Sequence, residues 1–297
     1  MDWLLDPFAL GIQQRALIAG SLAAIVFAVV GTWVVIRGMT FLGDALVHGV
    51  IPGIALAVLF DFNLLIGAVG AALVMVIGIN FVHRQTQFSE DTGIGLLFAG
   101  MLAFGVILIS TTDGASGTLT AILFGNALGV TGTDIAVLAL VAVIAVAGTT
   151  LLYKRLLVLA FNEQKAELFG LRPKATHAIL LVLITLSIVG SFQTVGTLLV
   201  FGLMVGPPAT AALVVRRVPT MMLTAGVIGI ISVAGGLIIS YHAGTSGSAT
   251  MALIPIVLFF IVLGTKSLRQ ELKTRDAEHS NNEVPTPSSV PTSAEKP

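Results

Sequence analysis

Long apolar runs separated by short polar stretches make up most of the chain. Nine of them are read as membrane-spanning helices: residues 14–36, 43–60, 64–82, 92–110, 133–153, 176–191, 194–214, 220–240 and 248–265. A helix needs about 20 predominantly apolar residues to cross about 30 Å of hydrocarbon. The pattern therefore predicts an all-α membrane protein, a polytopic bundle of about nine transmembrane helices.

A tenth apolar run, residues 119–130, is too short to cross a bilayer. We expect it to form a short re-entrant or interfacial helix. Residues 1–13 mix apolar side chains with acids and are typical of a short helix that lies on the outer membrane surface.

The apolar pattern ends after residue 266, and from about Thr274 the chain is rich in Ser, Pro, Thr, Asn, Glu and Lys. Such a composition cannot bury enough apolar surface to offset the entropy of ordering. We therefore expect a disordered cytoplasmic tail over residues 267–297 and a transmembrane domain over residues 14–266.

Basic residues predict the orientation, because cytoplasmic loops retain Lys and Arg. If the tenth run does not cross, the basic loops all fall on one side, and Arg15 is the exception. This arrangement predicts an outside N-terminus and a cytoplasmic C-terminus. The loops concerned contain Arg37, His83-Arg84, Lys154 to Lys174, Arg216-Arg217 and Lys266 to Arg275.

Composition narrows the function classes. Of 297 residues, 56% are hydrophobic and 10% are charged, and the mean hydropathy of +1.02 excludes a soluble protein. The net charge of zero gives no electrostatic reason to bind nucleic acid. Without cysteine, any metal ligand must be oxygen or imidazole nitrogen. No phosphate-binding motif of the Gly-x-x-x-x-Gly-Lys type occurs, so we expect neither ATP hydrolysis by this chain nor a permanently bound cofactor.

The candidate metal ligands are Asp44 and His48 in the second run. An ionisable group inside hydrocarbon costs several kcal/mol, which favours a functional role. A spacing of four places both side chains on one face of a helix. A carboxylate with an imidazole suits manganese or zinc better than calcium or magnesium. The alternative is that Asp44 only caps the helix and His48 is a packed polar residue.

Two segments that contain proline are candidates for lining the ion path. Pro52 cannot donate to the carbonyl of His48, so that oxygen becomes available beside the imidazole. A double proline in the run 194–214 predicts a helix broken in mid-membrane, tolerated only beside protein or a wet cavity. A plain packing kink is the alternative. The gating and path candidates are Pro52, Gly53, Gly196, Pro207 and Pro208.

The long basic connection, residues 154–175, predicts a short amphipathic helix in the cytosol. Asn162 can cap it, and Gly170 with Pro173 can end it. Its apolar face, formed by Leu168, Phe169 and Leu171, could enter a groove on a partner. A helix that lies on the membrane surface is the alternative.

Three stretches together resemble the permease subunits of the bacterial ABC transporters for manganese, zinc and iron, the ABC-3 metal family. They are residues 37–53, residues 121–130 and residues 194–211. The most specific is the first, which contains Gly43-Asp44-Ala45-Leu46-Val47-His48-Gly49-Val50-Ile51-Pro52-Gly53. The segment Gly206-Pro207-Pro208 departs from the family, because many relatives carry bulkier residues before a single proline there.

The resemblance implies a type II ABC importer-like core in a bacterial plasma membrane. It implies a homodimer with two ABC ATPase subunits and an extracytoplasmic metal-binding protein, and it places Asp44 and His48 along the path of a transported manganese, zinc or iron ion. It also implies a coupling helix seated in the ATPase, formed by Glu163, Ala166, Glu167, Leu168, Phe169, Gly170 and Leu171.

We therefore expect a permease subunit that passes a divalent transition metal to the cytoplasm and is not itself an enzyme. One rival is an ion-coupled secondary transporter of a small cation, for which discontinuous helices are also typical. That class would need more buried carboxylates than the sequence contains. Another rival is a membrane-embedded structural or assembly protein without transport.

Overall fold

The computed structural model describes residues 6–85, 90–111, 129–161 and 171–282. Within these ranges all regular elements are helical. A short 3-10 helix, Asp6–Ala9, precedes nine α-helices: α1 Gly11–Ile36, α2 Thr40–Gly49, α3 Ile51–Leu59, α4 Leu64–Gln85, α5 Glu90–Ser110, α6 Gly132–Phe161, α7 Pro173–Val214, α8 Val218–Ala243 and α9 Gly247–Asn282. The predicted all-α architecture is confirmed, and every one of the nine predicted runs lies on helix.

Eight segments of the described ranges are long and apolar enough to cross a membrane. Helices α2 and α3 together form one of them, Thr40–Leu59, and α7 supplies two, Pro173–Phe192 and Thr194–Val214. The ninth predicted span corresponds to α4, whose apolar part, Leu64–Ile79, is shorter. The tenth run lies outside the described residues as far as residue 128.

The outer faces of these helices carry large apolar side chains. Leu96 is 68% exposed, Leu151 86% and Leu223 72%. Exposure of such a surface to water costs free energy, whereas lipid tails are as apolar as the side chains and solvate it well. The exposed side chains therefore agree with a bundle surrounded by hydrocarbon.

The helices of residues 1–259, one compact unit of the chain, pack in two groups. In the first group α1 packs against α6, α7 and α8, and in the second α2 to α5 pack against one another. Helix α7 contacts both groups. Phe27 and Trp33 of α1 are completely buried between these neighbours, so α1 forms the centre of the first group.

The turn between α1 and α2 is closed by backbone hydrogen bonds. Gly38 has a φ of +66°, a left-handed conformation that favours glycine. The amide of Met39 donates to the carbonyl of Val34 at 2.9 Å, and the amide of Gly38 donates to that of Val35 at 3.1 Å. This is the Schellman pattern, which satisfies carbonyls at a helix end. The turn therefore fixes where α2 begins.

Helix α7 reverses direction at Gly196. Gly196 has φ 79° and ψ 157°, which is not helical. His177 near the start of α7 contacts Arg37, and Val215 just after its end packs against the same buried cluster as Val35 and Ile36, so both ends lie near the end of α1. His177 and Val215 are each 19 residues from Gly196, about 28 Å of helix at 1.5 Å per residue, so the two arms run in opposite directions. This hairpin agrees with two separate spans.

Our expectation of a helix broken at Pro207 and Pro208 is wrong. Both prolines lie inside continuous helix, and the break is at Gly196 instead. Pro208 leaves the carbonyl of Met204 without its usual donor, and that oxygen lies against Gly31 of α1, where any Cβ would collide with it. Buried protein therefore covers the freed oxygen, and the helix tolerates the prolines.

Helices α3 and α4 approach most closely at two glycines. A Cβ on Gly53 would collide with the carbonyl oxygen of Gly67 and lie 2.7 Å from the Cβ of Ala71. A Cβ on Gly67 would in turn collide with the carbonyl of Gly53. Small residues at helix contacts in membranes allow such backbone approach.

We expect Gly53→Ala to destabilise the protein by about 1–3 kcal/mol, the usual cost of overpacking a buried contact. The measurement is the thermal midpoint of the purified protein in detergent. Gly70→Ala on α4 is the matched control, because a Cβ there meets no atom within 4 Å. Equal midpoints for the two variants would contradict the packing assignment.

The boundary that we predicted for the disordered tail is wrong. Helix α9 continues to Asn282, well past residue 267. The segment Ser267-Leu268-Arg269-Gln270-Glu271-Leu272-Lys273 consists mainly of strong helix formers, so helix extends without apolar packing. Residues 283–297 lie outside the described part, as do residues 1–5 of the predicted interfacial segment.

Candidate functional site

Asp44 and His48 lie together on α2. The Nε2 atom of His48 is 3.5 Å from Oδ1 of Asp44, as expected for residues one helical turn apart. The two side chains are about one quarter exposed, at 26% and 28%. The pair is therefore held within the bundle but remains open on one side.

The separation of the two atoms suits a shared metal ion. A good hydrogen bond between nitrogen and oxygen is shorter, about 2.7–3.2 Å. Two ligands that each lie about 2.1 Å from a tetrahedral ion are about 3.4 Å apart. The observed 3.5 Å is close to that spacing. A carboxylate and an imidazole in this geometry can bind one divalent transition metal from the same side.

The ring of His48 is positioned by an aromatic neighbour. Phe98 of α5 packs edge to face against it, with ring centroids 5.9 Å apart. Nδ1 of His48 is buried and has no hydrogen-bond partner. Packing against Phe98 instead of a hydrogen bond thus holds the ring, with Nε2 directed toward Asp44. No sequence motif marks Phe98, because it lies among other apolar residues of its run.

The carbonyl oxygen of His48 is not left without a donor. Pro52 is the second residue of α3 and has no N–H to offer it. The amide of Val50, in the break between α2 and α3, donates to this oxygen instead. A carbonyl has a second lone pair, so the oxygen keeps the capacity to contact an ion.

Pro52 and Gly53 line an apolar cavity of about 300 Å³ between α3, α4 and α5. Its other walls include Leu56, Gly67 and Phe104. The residues that line it carry no titratable group, so the cavity offers no ligand to a cation. These two gating candidates therefore lie next to the metal-ligand candidates in sequence but face an apolar space.

The second arm of α7 packs against α2 where Met204 meets Gly43, the residue before Asp44. A Cβ on Gly43 would collide with the methyl carbon of Met204. Pro207 and Pro208 follow on the same arm and are buried. The structure thus places α7 beside α2, a contact that the glycine before Asp44 could have suggested.

Other polar residues have roles in turns and helix ends. Asp134 accepts hydrogen bonds from the amide and hydroxyl of Thr131 at 2.9 and 2.7 Å, and caps α6. His242 is exposed, with Nδ1 3.0 Å from the carbonyl of Ile238. Among the described residues no group of three or more His, Asp or Glu side chains comes together. Within the described ranges Asp44 and His48 therefore stand as a pair of side-chain donors, without a third such side chain beside them.

The predicted coupling helix lies mostly outside the part of the chain that the structure describes. This applies to Glu163, Ala166, Glu167, Leu168, Phe169 and Gly170. Leu171 is described and is half-buried, two residues before α7 begins at Pro173.

The sequence model of the ABC 3 transport family matches residues 10–266. The chain belongs to this family. The match covers seven of the eight candidate spans completely and the eighth as far as residue 266, so the membership concerns the whole bundle and not a single motif.

Several curated relatives of this ABC 3 family member are named as metal transport proteins. The manganese transport system membrane protein MntC of Listeria monocytogenes is 37% identical over 248 residues, which cover 84% of this chain and 88% of the relative. The chelated iron transport system membrane protein YfeD of Yersinia pestis is 32% identical over 263 residues, covering 87% and 86%.

A solved structure shares the fold of this ABC 3 family member. PsaBC from Streptococcus pneumoniae, in complex with a Fab, has a chain that matches with a TM-score of 0.79 and 32% sequence identity. The match covers 87% of this chain and 94% of the other. The helical architecture is therefore shared with that solved chain over most of its length.

Proposed function

We propose that this chain is the membrane permease subunit of an ATP-driven importer that carries manganese or iron into the cell. The single observation that supports this most is the Asp44–His48 pair, held 3.5 Å apart inside a family member whose relatives are named for manganese and iron transport. Zinc is a further candidate cargo, since nitrogen and oxygen ligands also suit it.

The metal is cargo, so its site must release it again. Conduction requires binding that is favourable enough for entry and weak enough for exit. Two side-chain donors per chain meet the second condition, because even tetrahedral structural sites, those of zinc, usually have four ligands. We propose that two copies of the chain form a homodimer, in which two Asp44–His48 pairs supply four donors.

ATP hydrolysis belongs to separate subunits in this proposal. The sequence has no phosphate-binding motif, and the family is one of ABC transporters. Two ABC ATPase copies would receive the segment from Glu163 to Leu171 as a coupling helix. An extracytoplasmic binding protein would deliver the ion at the opposite end of the bundle.

Contacts in the bundle support the proposed orientation. Arg37, His177 and Val215 lie at one end of the bundle, and Arg172 and Arg216 flank the last two in sequence. Positive charge collects on the cytoplasmic side of membrane proteins. We therefore propose that this end faces the cytoplasm, with the N-terminus outside and the C-terminus inside.

The test is manganese uptake by the permease reconstituted into vesicles with its ATPase and binding protein. We expect uptake only when the ATPase and ATP are present. Uphill uptake by the permease alone, driven by a proton or sodium gradient, would favour an ion-coupled secondary transporter and overturn the proposal.

A second measurement tests the coupling segment. We expect the Glu167→Ala, Phe169→Ala double variant to prevent co-purification of the permease with the ATPase. The segment would lose the charged and the apolar side chain that we propose bind in a groove of the ATPase. Gln164→Ala in the same segment is the matched control. Unchanged co-purification of the double variant would show that the ATPase docks elsewhere.

A further inference from the structure

A hydrogen bond joins the first turn of α7 to the end of α1. The guanidinium Nη1 of Arg37 lies 2.8 Å from Nδ1 of His177 in a partly buried position, between residues 140 apart in sequence. Arginine only donates, so Nδ1 of His177 is the acceptor and the ring proton sits on Nε2. The bond thus has a fixed direction and a charged donor, which makes it stronger than a bond between neutral groups.

The donor, Arg37, is connected rigidly to α2, the helix that carries Asp44 and His48. Arg37 caps the end of α1, and the hydrogen-bonded turn at Gly38 connects it directly to α2. Helix α2 begins at Thr40, three residues after Arg37, and Asp44 lies four residues further on, about one helical turn into α2. A displacement of Arg37 therefore moves the start of α2 instead of being absorbed by a loose loop.

The acceptor, His177, lies on α7, the helix that follows the proposed coupling segment in sequence. Helix α7 begins at Pro173, and its first turn is tied by Thr176, whose amide and hydroxyl both donate to the carbonyl of Arg172, at 3.0 and 3.1 Å. Pro173 and Thr176 are buried. His177 thus sits on an ordered turn just after residues 162–170.

The other arm of α7 contacts α2 independently, where Met204 packs on Gly43. Helix α2 is therefore tied to both arms of the α7 hairpin, through Arg37 to the first and through Gly43 to the second. A shift of the first arm relative to the second must change the position of α2, and with it the position of Asp44 and His48.

We propose that the Arg37–His177 hydrogen bond is a positioning contact that transmits movement of the ATPase-coupling segment to α2, so that ATP hydrolysis is coupled to opening of the metal path. This inference rests on the proposed function. Neither residue touches the metal in this scheme; each acts through the turn at Gly38 or the first turn of α7.

The test uses the complete transporter in vesicles and measures Mn²⁺ taken up per ATP hydrolysed. His177→Leu removes the acceptor, whereas His177→Asn has the same shape as leucine but places an oxygen as many bonds from Cα as Nδ1. We expect His177→Leu to lower Mn²⁺ per ATP by about 3- to 30-fold, the range reported for residues that carry coupling between sites. His177→Asn should restore at least half of the wild-type ratio.

A double-mutant cycle separates this role from a structural one. Arg37→Met removes the donor, and the Arg37→Met, His177→Leu double variant should be no worse than the more impaired of the two single variants, because both remove the same bond. Three results would each overturn the inference. The losses of Mn²⁺ per ATP in the two single variants could multiply in the double variant. His177→Leu could keep the wild-type ratio of Mn²⁺ to ATP, or His177→Asn could fail to restore it. If the wild-type complex itself takes up no Mn²⁺ with ATP, the proposed function fails instead.

Discussion

Replacing either Asp44 or His48 abolishes metal uptake while the permease still assembles with its ATPase; this is the largest effect that we expect. Asp44→Asn keeps the shape of the side chain but removes the charge, and His48→Ala removes the imidazole. Loss of an outer-shell partner alone costs about 10- to 100-fold in metal affinity. Loss of one of the two proposed direct ligands should lower metal affinity by more than this. The measurement is initial uptake of ⁵⁴Mn by cells or vesicles.

The matched controls are residues of the same type outside the pair. Asp61 is exposed in the turn between α3 and α4, and His242 is exposed at the end of α8. Asp61→Asn and His242→Ala should each leave uptake within about twofold of wild type, since surface substitutions have small effects. Normal uptake in the Asp44→Asn, His48→Ala double variant would remove the pair from the ion path.

Gly196→Ala is expected to have the second largest effect. Gly196 adopts φ 79° and ψ 157°, a region that is essentially restricted to glycine. A Cβ there costs about 1–3 kcal/mol of strain. Val195 and Thr197 on either side are buried, at 2% and 1% exposure, so the chain has little freedom to relax. We expect a lower thermal midpoint of the purified permease and loss of metal uptake.

Gly100→Ala on α5 is the comparison for this variant. Gly100 is exposed within helix, and a Cβ there meets no atom within 4 Å. Alanine should leave stability unchanged or raise it by about 0.5–1 kcal/mol, because glycine is the poorer helix former. If the midpoints of Gly196→Ala and Gly100→Ala agree, the reversal at Gly196 does not depend on its unusual backbone conformation.

The proximity of Asp44 and His48, the proposed metal ligands, could be predicted from sequence because it is local. Any helix through residues 44–48 brings the two side chains together, whatever packs around it. Phe98, which packs against the imidazole, and Met204, which packs on Gly43, come from distant parts of the chain. No local pattern distinguishes them from other apolar residues, so only the tertiary structure reveals them.

The position of the helix break in α7 could not be predicted from proline and glycine in the sequence. Proline predicts a break because it lacks a donor, but buried Pro207 and Pro208 lie in continuous helix. The chain reverses at Gly196, one of 32 glycines in the sequence. Where a helix breaks depends on whether the freed carbonyls are covered, and α1 covers that of Met204 with Gly31.

By itself the sequence determined that this is a helical membrane protein, where its apolar runs lie, and which two polar side chains share a helical face. These properties follow from the thickness of hydrocarbon and from the 3.6-residue period, which act on each segment separately. The tertiary structure alone decided that α7 folds back on itself, that α1 lies at the centre, and that Arg37 meets His177. These depend on contacts between distant segments, where shape and small residues select one arrangement among many of similar hydrophobicity.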